Sequence, residues 1–325
     1  MMELVKRLRR VKKRFVRKVR RLHEGFTERL RALRHHSVWG EPRLLEMAAA
    51  GATTTLPYPH FIIIGAPKCG TSWLQGALGQ HRHIIVVPDE IEYFSSNLDK
   101  YPLAWYLDHF AQRIRTESTG KATPWLVGEK SARYCSIPFD RIALVHRLLP
   151  DARLVLMTRD PVSRHWSHAK QYYSKPRVAK REGGDVLSVP RKRLFGFLTR
   201  TRILGEFSSM IANWTSVYPA ERLLIVSQEH ALASPRATFD AVLGYLGLPA
   251  DYDPASIPLL SKQRNRGPSI PVPEDVAAFL DEMYAAERQR LRALLDNRAI
   301  VTAAETIGGV NRLVAGEACQ PTASR

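Results

Sequence analysis

Phe61-Ile62-Ile63-Ile64-Gly65-Ala66-Pro67-Lys68-Cys69-Gly70-Thr71-Ser72-Trp73-Leu74 is the stretch that decides the fold of this chain. Its first four residues form a short apolar run rich in β-branched side chains, which is typical of a strand buried in a parallel sheet. The chain then turns through glycine, proline and lysine and enters a helix near Thr71. A strand, a tight loop and a helix N-terminus direct backbone N–H groups and the positive end of a helix dipole at one spot. Such a spot is suited to binding phosphate.

The loop is close to the Walker A sequence of nucleotide-binding proteins but departs from it at the lysine. The Walker pattern places lysine directly after the second glycine, where this chain has Thr71, and the only lysine, Lys68, lies inside the loop. A kinase or an ATPase also needs a carboxylate that binds Mg²⁺, and no strand end offers a clear one. A nucleoside or sugar kinase stays as an alternative that lacks two of its expected parts.

Strands and helices alternate along residues 59–300, which we predict to be one α/β domain with a P-loop-like parallel sheet flanked by helices. Residues 37–58 have the composition of a linker, and residues 301–325 that of a partly disordered tail. Residues 174–193 are basic and poor in apolar side chains, which indicates a mobile loop. The predicted strands after the first are Ile84–Val87, Leu126–Ser131, Arg153–Met157 and Leu223–Val226, and the predicted helices are Pro102–Arg115, Phe139–Leu149, Leu204–Val217, Pro235–Leu246 and Glu274–Leu295.

The chain carries 49 Lys and Arg against 31 Asp and Glu, and much of the excess lies near its beginning. Residues 2–34 hold 14 basic and 3 acidic residues, with Leu, Val and Phe recurring at a spacing close to 3.6. This pattern predicts a basic amphipathic helix over residues 1–36. Three roles stay open for it: packing on its own domain or on a second copy, lying on an anionic membrane, or contacting nucleic acid. Nucleic acid is the weakest of the three, since no recognisable nucleic-acid-binding fold follows.

The cysteines and the apolar runs of the sequence indicate the cellular compartment of the protein. The three cysteines, Cys69, Cys135 and Cys319, show neither metal-ligand spacing nor an even disulfide framework, which indicates a reducing environment. No apolar run approaches the ~18 residues of a membrane span, and the sequence shows no signal-peptide pattern. We therefore expect a cytoplasmic protein, associated peripherally with anionic membranes through residues 2–34.

A second motif follows the predicted strand Arg153–Met157. Here Thr158-Arg159-Asp160-Pro161-Val162-Ser163-Arg164-His165-Trp166-Ser167 leaves a buried strand at arginine and begins a helix at proline, a favoured first helical residue. Paired with the Lys68 loop, this motif resembles those of the sulfotransferases that use 3′-phosphoadenosine 5′-phosphosulfate (PAPS). The resemblance implies that Arg159 and Ser167 bind the 3′-phosphate, with Arg164 as a structural or secondary contact. It also implies that the 5′-phosphosulfate is bound by the loop residues Lys68, Cys69, Gly70, Thr71, Ser72 and Trp73.

The candidate general base lies in Asp89-Glu90-Ile91-Glu92-Tyr93-Phe94, just after the second predicted strand. This segment resembles one in carbohydrate sulfotransferases of the heparan type, in which a glutamate removes the proton of the acceptor. The resemblance gives that role to Glu90, with an ordinary surface carboxylate as the alternative. The histidine segment of the small-molecule sulfotransferases is not found, and His168 and Glu92 are the next candidates for the base.

Two further segments resemble the same family. Gly128-Glu129-Lys130-Ser131-Ala132 is similar to a strand end whose lysine points into the cleft, so Lys68 and Lys130 are expected to neutralise the charge that develops during transfer. A solvated surface lysine is the alternative for Lys130. Ser261-Lys262-Gln263-Arg264-Asn265-Arg266-Gly267 resembles a loop that closes over the nucleotide, which makes Lys262, Asn265, Arg266 and Gly267 candidates for binding it.

The resemblance covers roughly residues 59–297 and implies a function. It implies transfer of the sulfuryl group from PAPS to a hydroxyl or amine, on a glycan, a glycolipid or a small molecule, by in-line displacement and without a metal. The product of the donor would be adenosine 3′,5′-bisphosphate. A catalytically inactive adaptor that binds membrane or nucleic acid is the alternative from a different class. The sequence does not identify the acceptor or the oligomeric state.

Overall fold

The computed structural model describes residues 56–117, 126–182, 184–261 and 270–295. The predicted helix over residues 1–36 and the predicted tail over residues 301–325 lie outside this part, as does most of the linker. So do four candidates for nucleotide binding, Lys262, Asn265, Arg266 and Gly267.

Five parallel strands form one sheet in the order β2-β3-β1-β4-β5, and all five predicted strands are confirmed. The central strand, β1, has a neighbour on each edge, with Phe61 in register with Gly128 on β3 and with Arg153 on β4. Its residues Phe61 to Ile64 are completely buried, as expected for an apolar run in the middle of a covered sheet. The strands are β1 Phe61–Gly65, β2 Ile84–Val86, β3 Leu126–Lys130, β4 Arg153–Thr158 and β5 Leu223–Ser227.

Helices cover the sheet, and the predicted helices agree with them to within a few residues at each end. The class is therefore α/β, as predicted. The helices of the described ranges are α1 Thr71–Gln80, α2 Leu103–Glu117, α3 Phe139–Leu148, α4 Pro161–Tyr173, α5 Pro176–Glu182, α6 Arg191–Arg200, α7 Phe207–Thr215, α8 Gln228–Ala233, α9 Pro235–Tyr245 and α10 Glu274–Leu295. None of them combines the length and the apolar content that a membrane span would need.

The prediction of a mobile loop over residues 174–193 is wrong for most of that segment. It contains α5, a single turn at Val186–Ser188 and the beginning of α6. Val186 and Val189 are buried in a second apolar cluster formed mainly by α4, α6 and α10. These few apolar side chains fix the segment while its basic side chains face solvent, so a count of apolar residues underestimates its order.

Buried hydrogen bonds join α10 to the rest of the domain. His165 of α4 is hydrogen-bonded through Nδ1 to the hydroxyl of Tyr284, at 2.8 Å. Glu287, which is fully buried, accepts from the Ser208 N–H at 2.7 Å and from its hydroxyl at 2.6 Å. The first bond joins α4, and with it the second motif, to α10, and the bonds of Glu287 join α10 to α7.

The order of the strands predicts a ligand site beyond their carboxyl ends. The chain passes from β1 to β2 on the far side of β3, and later adds β4 on the opposite side of β1. In open parallel sheets a crevice forms beyond the carboxyl ends of strands where the winding direction changes in this way. The loop after β1, the end of β3 and the turn after β4 all meet there.

Candidate active site

A cleft of about 890 Å³ opens at this edge of the sheet. Lys68, Glu90, Arg159 and Ser167 all line it, although they come from three separate segments of the chain. They come together because the carboxyl ends of parallel strands lie at one edge. The structure therefore places the two predicted phosphate-binding segments and the candidate base around a common space.

The loop after β1 has a backbone shaped for close approach. Lys68 has φ 72° and Gly70 has φ 89°, both in the left-handed region. For a non-glycine residue such as Lys68 this conformation costs about 1–3 kcal/mol, and such strain concentrates at binding sites. Gly70 is the N-cap of α1 and no side chain caps the helix, which leaves the helix N-terminus open to an anionic ligand.

Two arginines of the second motif hold this loop in place. Arg159 donates from Nη1 to the carbonyl oxygen of Lys68 at 3.2 Å, and Arg164 donates from Nε to that of Pro67 at 3.0 Å. The sequence predicts that Arg159 contacts a 3′-phosphate, and the structure adds that it also contacts the loop. The two motifs therefore form one unit.

The sequence predicts only a structural or secondary contact for Arg164, and the structure shows how it is placed. Its side chain is completely buried, and within the described part of the chain neither terminal nitrogen has a hydrogen-bond partner. Burial lowers the pKa of Arg164, although a guanidinium stays charged in proteins. Arg164 does not line the cleft, so its charge acts on the site from beneath the loop that it holds.

Lys68 is placed in the same positive field. Burial lowers its pKa, and the charges of Arg159, Arg164 and Lys170 lower it further. Each cation in the group disfavours the charge of the others, so the binding of an anion would relieve their mutual repulsion. The local electrostatics are therefore those of an anion site.

Asp160 organises the beginning of α4, which carries the predicted 3′-phosphate residues. Its side chain caps the helix by accepting from the Ser163 N–H at 2.7 Å, and its own N–H donates to Glu229 at 2.9 Å. Ser167 lies two turns along α4 and faces the cleft. A cap of this kind typically stabilises a helix by about 1 kcal/mol, which fixes the direction of the Arg159 and Ser167 side chains.

Glu90, which lines the cleft, forms an ion pair with Lys130. Lys130 Nζ lies 2.5 Å from Glu90 Oε1, and the Ala132 N–H donates to Glu90 Oε2 at 3.3 Å. The Lys130 side chain is only 7% exposed and the Glu90 side chain 35% exposed. Lys130 thus contacts the candidate base from behind and does not line the cleft, whereas Glu90 does.

The other predicted loop residues do not all face the cleft. Ser72 and Trp73 line the cleft, and the indole N–H of Trp73 donates to the Leu259 carbonyl at 3.0 Å. The Cys69 side chain is buried in the core and its N–H donates to the Ala66 carbonyl, so its contact with a phosphosulfate stays a prediction. Burial raises the pKa of the Cys69 thiol to about 12, so it is an inert core group.

Two further residues line the cleft: Gln228, for which the sequence predicted no role, and His168, a second candidate for the base. Gln228 follows β5, and its side-chain nitrogen would lie 3.2 Å from a Cβ added at Gly70, so it packs on the loop. His168 follows Ser167, and its Nδ1 has no hydrogen-bond partner among the described residues. Burial, with the charges of Arg164, Lys175 and Lys68, lowers its pKa to about 4. The sequence signal for both was position: Gln228 follows the end of β5, and His168 follows Ser167 of the second motif.

Comparison with known proteins gives related proteins in sequence and in structure. Residues 99–253 match the sequence model of the Sulfotransferase family. Carbohydrate sulfotransferase 15 of Rattus norvegicus is 24% identical over 305 residues, which covers 74% of this chain and 54% of that protein. Heparan sulfate glucosamine 3-O-sulfotransferase 3B1 of Homo sapiens is 28% identical over 196 residues, which covers 58% of this chain and 46% of that protein. This chain spans about half the length of the curated relatives it matches.

A solved structure shows the same fold. The crystal structure of a sulfotransferase from Alicyclobacillus acidocaldarius superposes with a TM-score of 0.55 at 22% identity, covering 74% of this chain and 96% of that chain. The sheet, its flanking helices and the cleft beyond the carboxyl ends of the strands define an α/β protein of this fold. The sequence matches agree with the resemblance of the motifs: residues 99–253 match the Sulfotransferase family, and the curated relatives are sulfotransferases by name.

Proposed function

We propose that this chain transfers the sulfuryl group of PAPS to a hydroxyl or amine of a glycan or a glycolipid. The single observation that supports this most is the meeting of the Lys68 loop, the Arg159 and Ser167 pair and Glu90 around one cleft. Cations that would bind an anion and a carboxylate that would act as a base line the same space. Sulfuryl transfer needs these two functions side by side.

The donor would lie along the cationic wall. Lys68 and the N–H groups at the beginning of α1 would bind the phosphosulfate, and Arg159 and Ser167 the 3′-phosphate. The charge of Arg164 supports this fit, because a cation buried beneath the loop is stabilised when an anion binds nearby. PAPS, when bound, supplies a sulfuryl group joined to a phosphate that can leave, and the transfer is an in-line displacement.

Glu90 would remove the proton of the acceptor. A carboxylate oxygen has two lone pairs, so the contact of Oε1 with Lys130 leaves room for an acceptor hydroxyl or amine. Lys130 fixes the direction of the carboxylate at 2.5 Å. We assign Lys130 this orienting role together with charge neutralisation, and Lys68 the stabilisation of charge on the transferring group.

The acceptor class is proposed from the relatives. Their names describe enzymes that act on carbohydrate or heparan sulfate, and the segment that carries Glu90 resembles that subgroup. We therefore place a glycan or glycolipid ahead of a small phenol as the acceptor of this chain. The relatives extend beyond the matched part, so this assignment concerns the catalytic domain alone.

The test is transfer of radiolabelled sulfate from PAPS to a panel of glycans, glycolipids and phenols, with Glu90→Gln as the decisive variant. The amide keeps the shape of the carboxylate but cannot take the proton, so turnover should fall by about 10²–10⁴. Binding of adenosine 3′,5′-bisphosphate should hardly change. Glu221→Gln, at an exposed glutamate in the turn before β5, is the matched control. Normal turnover in Glu90→Gln would give the base to another residue, with His168 and Glu92 tested next.

We also propose peripheral association with anionic membranes through residues 2–34. An anionic surface would cover the apolar stripe of that segment and neutralise its basic residues, at about 1 kcal/mol for each one near the surface. The full chain should co-sediment with phosphatidylglycerol vesicles at physiological salt, and a chain that starts near Pro57 should not. Equal behaviour of the two would favour a contact between protein copies instead.

A further inference from the structure

Glu129 is a completely buried carboxylate beneath the wall that carries Glu90. It lies on β3, directly before Lys130. Its Oε1 accepts from the Tyr106 hydroxyl at 2.7 Å, and its Oε2 accepts from the Ser131 hydroxyl at 2.7 Å. Both oxygens are therefore engaged, and neither reaches the cleft.

Ser131 connects this carboxylate to the loop of the candidate base. Its oxygen accepts the Glu92 backbone N–H at 3.0 Å. A hydroxyl has one proton to donate and two lone pairs with which to accept. When Glu129 takes that proton, the lone pairs of Ser131 are turned toward Glu92. The carboxylate thereby sets the direction of the hydroxyl that holds the loop.

The loop around Glu92 needs this hydrogen bond because its backbone is strained. Glu92 has φ 50° and ψ 30°, a left-handed conformation that a residue other than glycine keeps only when its surroundings impose it. The next anchor is the Phe94 N–H, which donates to the Tyr134 hydroxyl at 3.3 Å. Glu90 lies two residues before the strained position, so the turn at Glu92 sets the backbone position from which the Glu90 carboxylate reaches Lys130 and the Ala132 N–H.

We propose that Glu129 is a positioning residue, which acts through the Ser131 hydroxyl on the Glu92 backbone and so aims Glu90 at the cleft. This inference rests on the proposed function, in which Glu90 is the base. Glu129 itself touches neither substrate nor the reacting atoms.

Burial raises the pKa of Glu129 to about 7, despite its hydrogen bonds with Tyr106, Ser131 and Tyr134, so the charged form is disfavoured at this place. The melting temperature of Glu129→Gln is therefore measured beside kcat at pH 8. A loss of turnover without a loss of stability separates a positioning role from a merely structural one.

The experiment compares Glu129→Gln, Ser131→Ala and the double variant at pH 8. Each single variant should lower kcat by roughly 10- to 100-fold, the range known for groups that orient functional side chains. The double variant should be no slower than the slower single variant, because the two residues act in series. Affinity for adenosine 3′,5′-bisphosphate should stay unchanged, and amide hydrogen exchange over residues 88–97 should become faster in all three.

Glu287→Gln is the matched control, since Glu287 is also fully buried and also accepts from a serine, but lies away from the cleft. It should leave kcat and the exchange of residues 88–97 unchanged. Wild-type turnover in Glu129→Gln, multiplied losses in the double variant, or unchanged exchange would each overturn the proposal. Faster exchange in Glu129→Gln together with a fully active Glu90→Gln would support the anchoring and overturn only the assignment of the base.

Discussion

Three cationic side chains, Lys68, Arg159 and Arg164, meet around the loop between β1 and α1. Arg159 and Arg164 each donate to a carbonyl of the loop, and their charges lower the pKa of Lys68. A protein without a ligand gains nothing from bringing like charges together in a partly buried site. The arrangement is explained if an anion completes it.

Arg159→Ala should weaken binding of adenosine 3′,5′-bisphosphate by roughly 2–4 kcal/mol, because charged, partly buried hydrogen bonds are lost. Binding of AMP, which lacks the 3′-phosphate, should weaken much less. Calorimetry with both nucleotides measures the difference, with Lys180→Ala on the exposed face of α5 as the control. Equal affinity of the wild-type protein for the two nucleotides would remove the 3′-phosphate assignment.

His168 predicts how the stability of the folded protein depends on pH in acid. Its pKa falls to about 4 in the folded protein, against an ordinary value near 6.5. As the pH falls, the unfolded chain therefore binds a proton at His168 before the folded protein does. The folded state loses stability as the pH falls from about 6.5 through 4. Urea denaturation at pH 7.5 and at pH 4.5 should show a smaller loss in His168→Gln than in the wild type. Identical pH dependence in the two proteins would show that His168 stays accessible to protons.

Some of these residues could be found from the sequence and others could not. Arg159 and Ser167 lie at a strand end and on the following helix, so a local pattern reveals them. Arg164 and Glu129 take their importance from burial and from partners distant in the chain, which no local pattern reports. Cys69 shows the reverse case, since it lies within a binding motif but faces the core.

The strands were the most predictable elements. β1, β2, β4 and β5 are mainly apolar runs, as a parallel sheet covered on both faces needs, whereas β3 ends in Gly128, Glu129 and Lys130. Residues 174–193 were the least predictable, because two valines fix a segment that is otherwise basic. Their contribution depends on the cluster between α4, α6 and α10, which forms only when distant parts of the chain meet.

Gly65, at the end of β1, should not tolerate a side chain. It has φ 143°, and an added Cβ would lie 2.4 Å from the Ala132 carbonyl oxygen. Gly65→Ala should lower the free energy of unfolding by at least about 1–3 kcal/mol through backbone strain alone. Urea denaturation gives the value, and a stable Gly65→Ala variant would mean that the end of β1 is less tightly packed.

Gly79→Ala is the matched control for this change. Gly79 lies in α1, and nothing lies within 4 Å of an added Cβ. Alanine is the better helix former by roughly 0.5–1 kcal/mol, so this variant should be as stable as the wild type or slightly more stable. The same chemical change thus has opposite signs at two positions separated by one loop and one helix.

At the level of the whole molecule, the sheet order decides that the two motifs meet. From the sequence we could predict a parallel sheet and two phosphate-binding segments, and the family resemblance supplied their common ligand. The pairing of Lys130 with Glu90, and the anchoring of that loop by Ser131, required the folded chain. The segment Lys262 to Gly267 and the basic residues 2–34 remain predictions.

Donor binding should stabilise the whole domain without a metal. A ligand present at 100 times its dissociation constant raises the free energy of unfolding by ≈ 2.7 kcal/mol. Adenosine 3′,5′-bisphosphate should therefore raise the melting temperature equally with EDTA and with Mg²⁺, whereas ATP with Mg²⁺ should have little effect. A shift that appears only with ATP and Mg²⁺ would favour the kinase alternative.

The central position of β1 has a consequence for how this chain is made. β1 is the earliest strand of the sheet, yet both of its neighbours, β3 and β4, come much later in the sequence. During synthesis its apolar residues therefore leave the ribosome before any partner strand exists. Long-range parallel pairing of this kind is slow and leaves apolar surface exposed. The nascent chain should depend on chaperones until β4 has emerged, and truncation before that strand should yield aggregates.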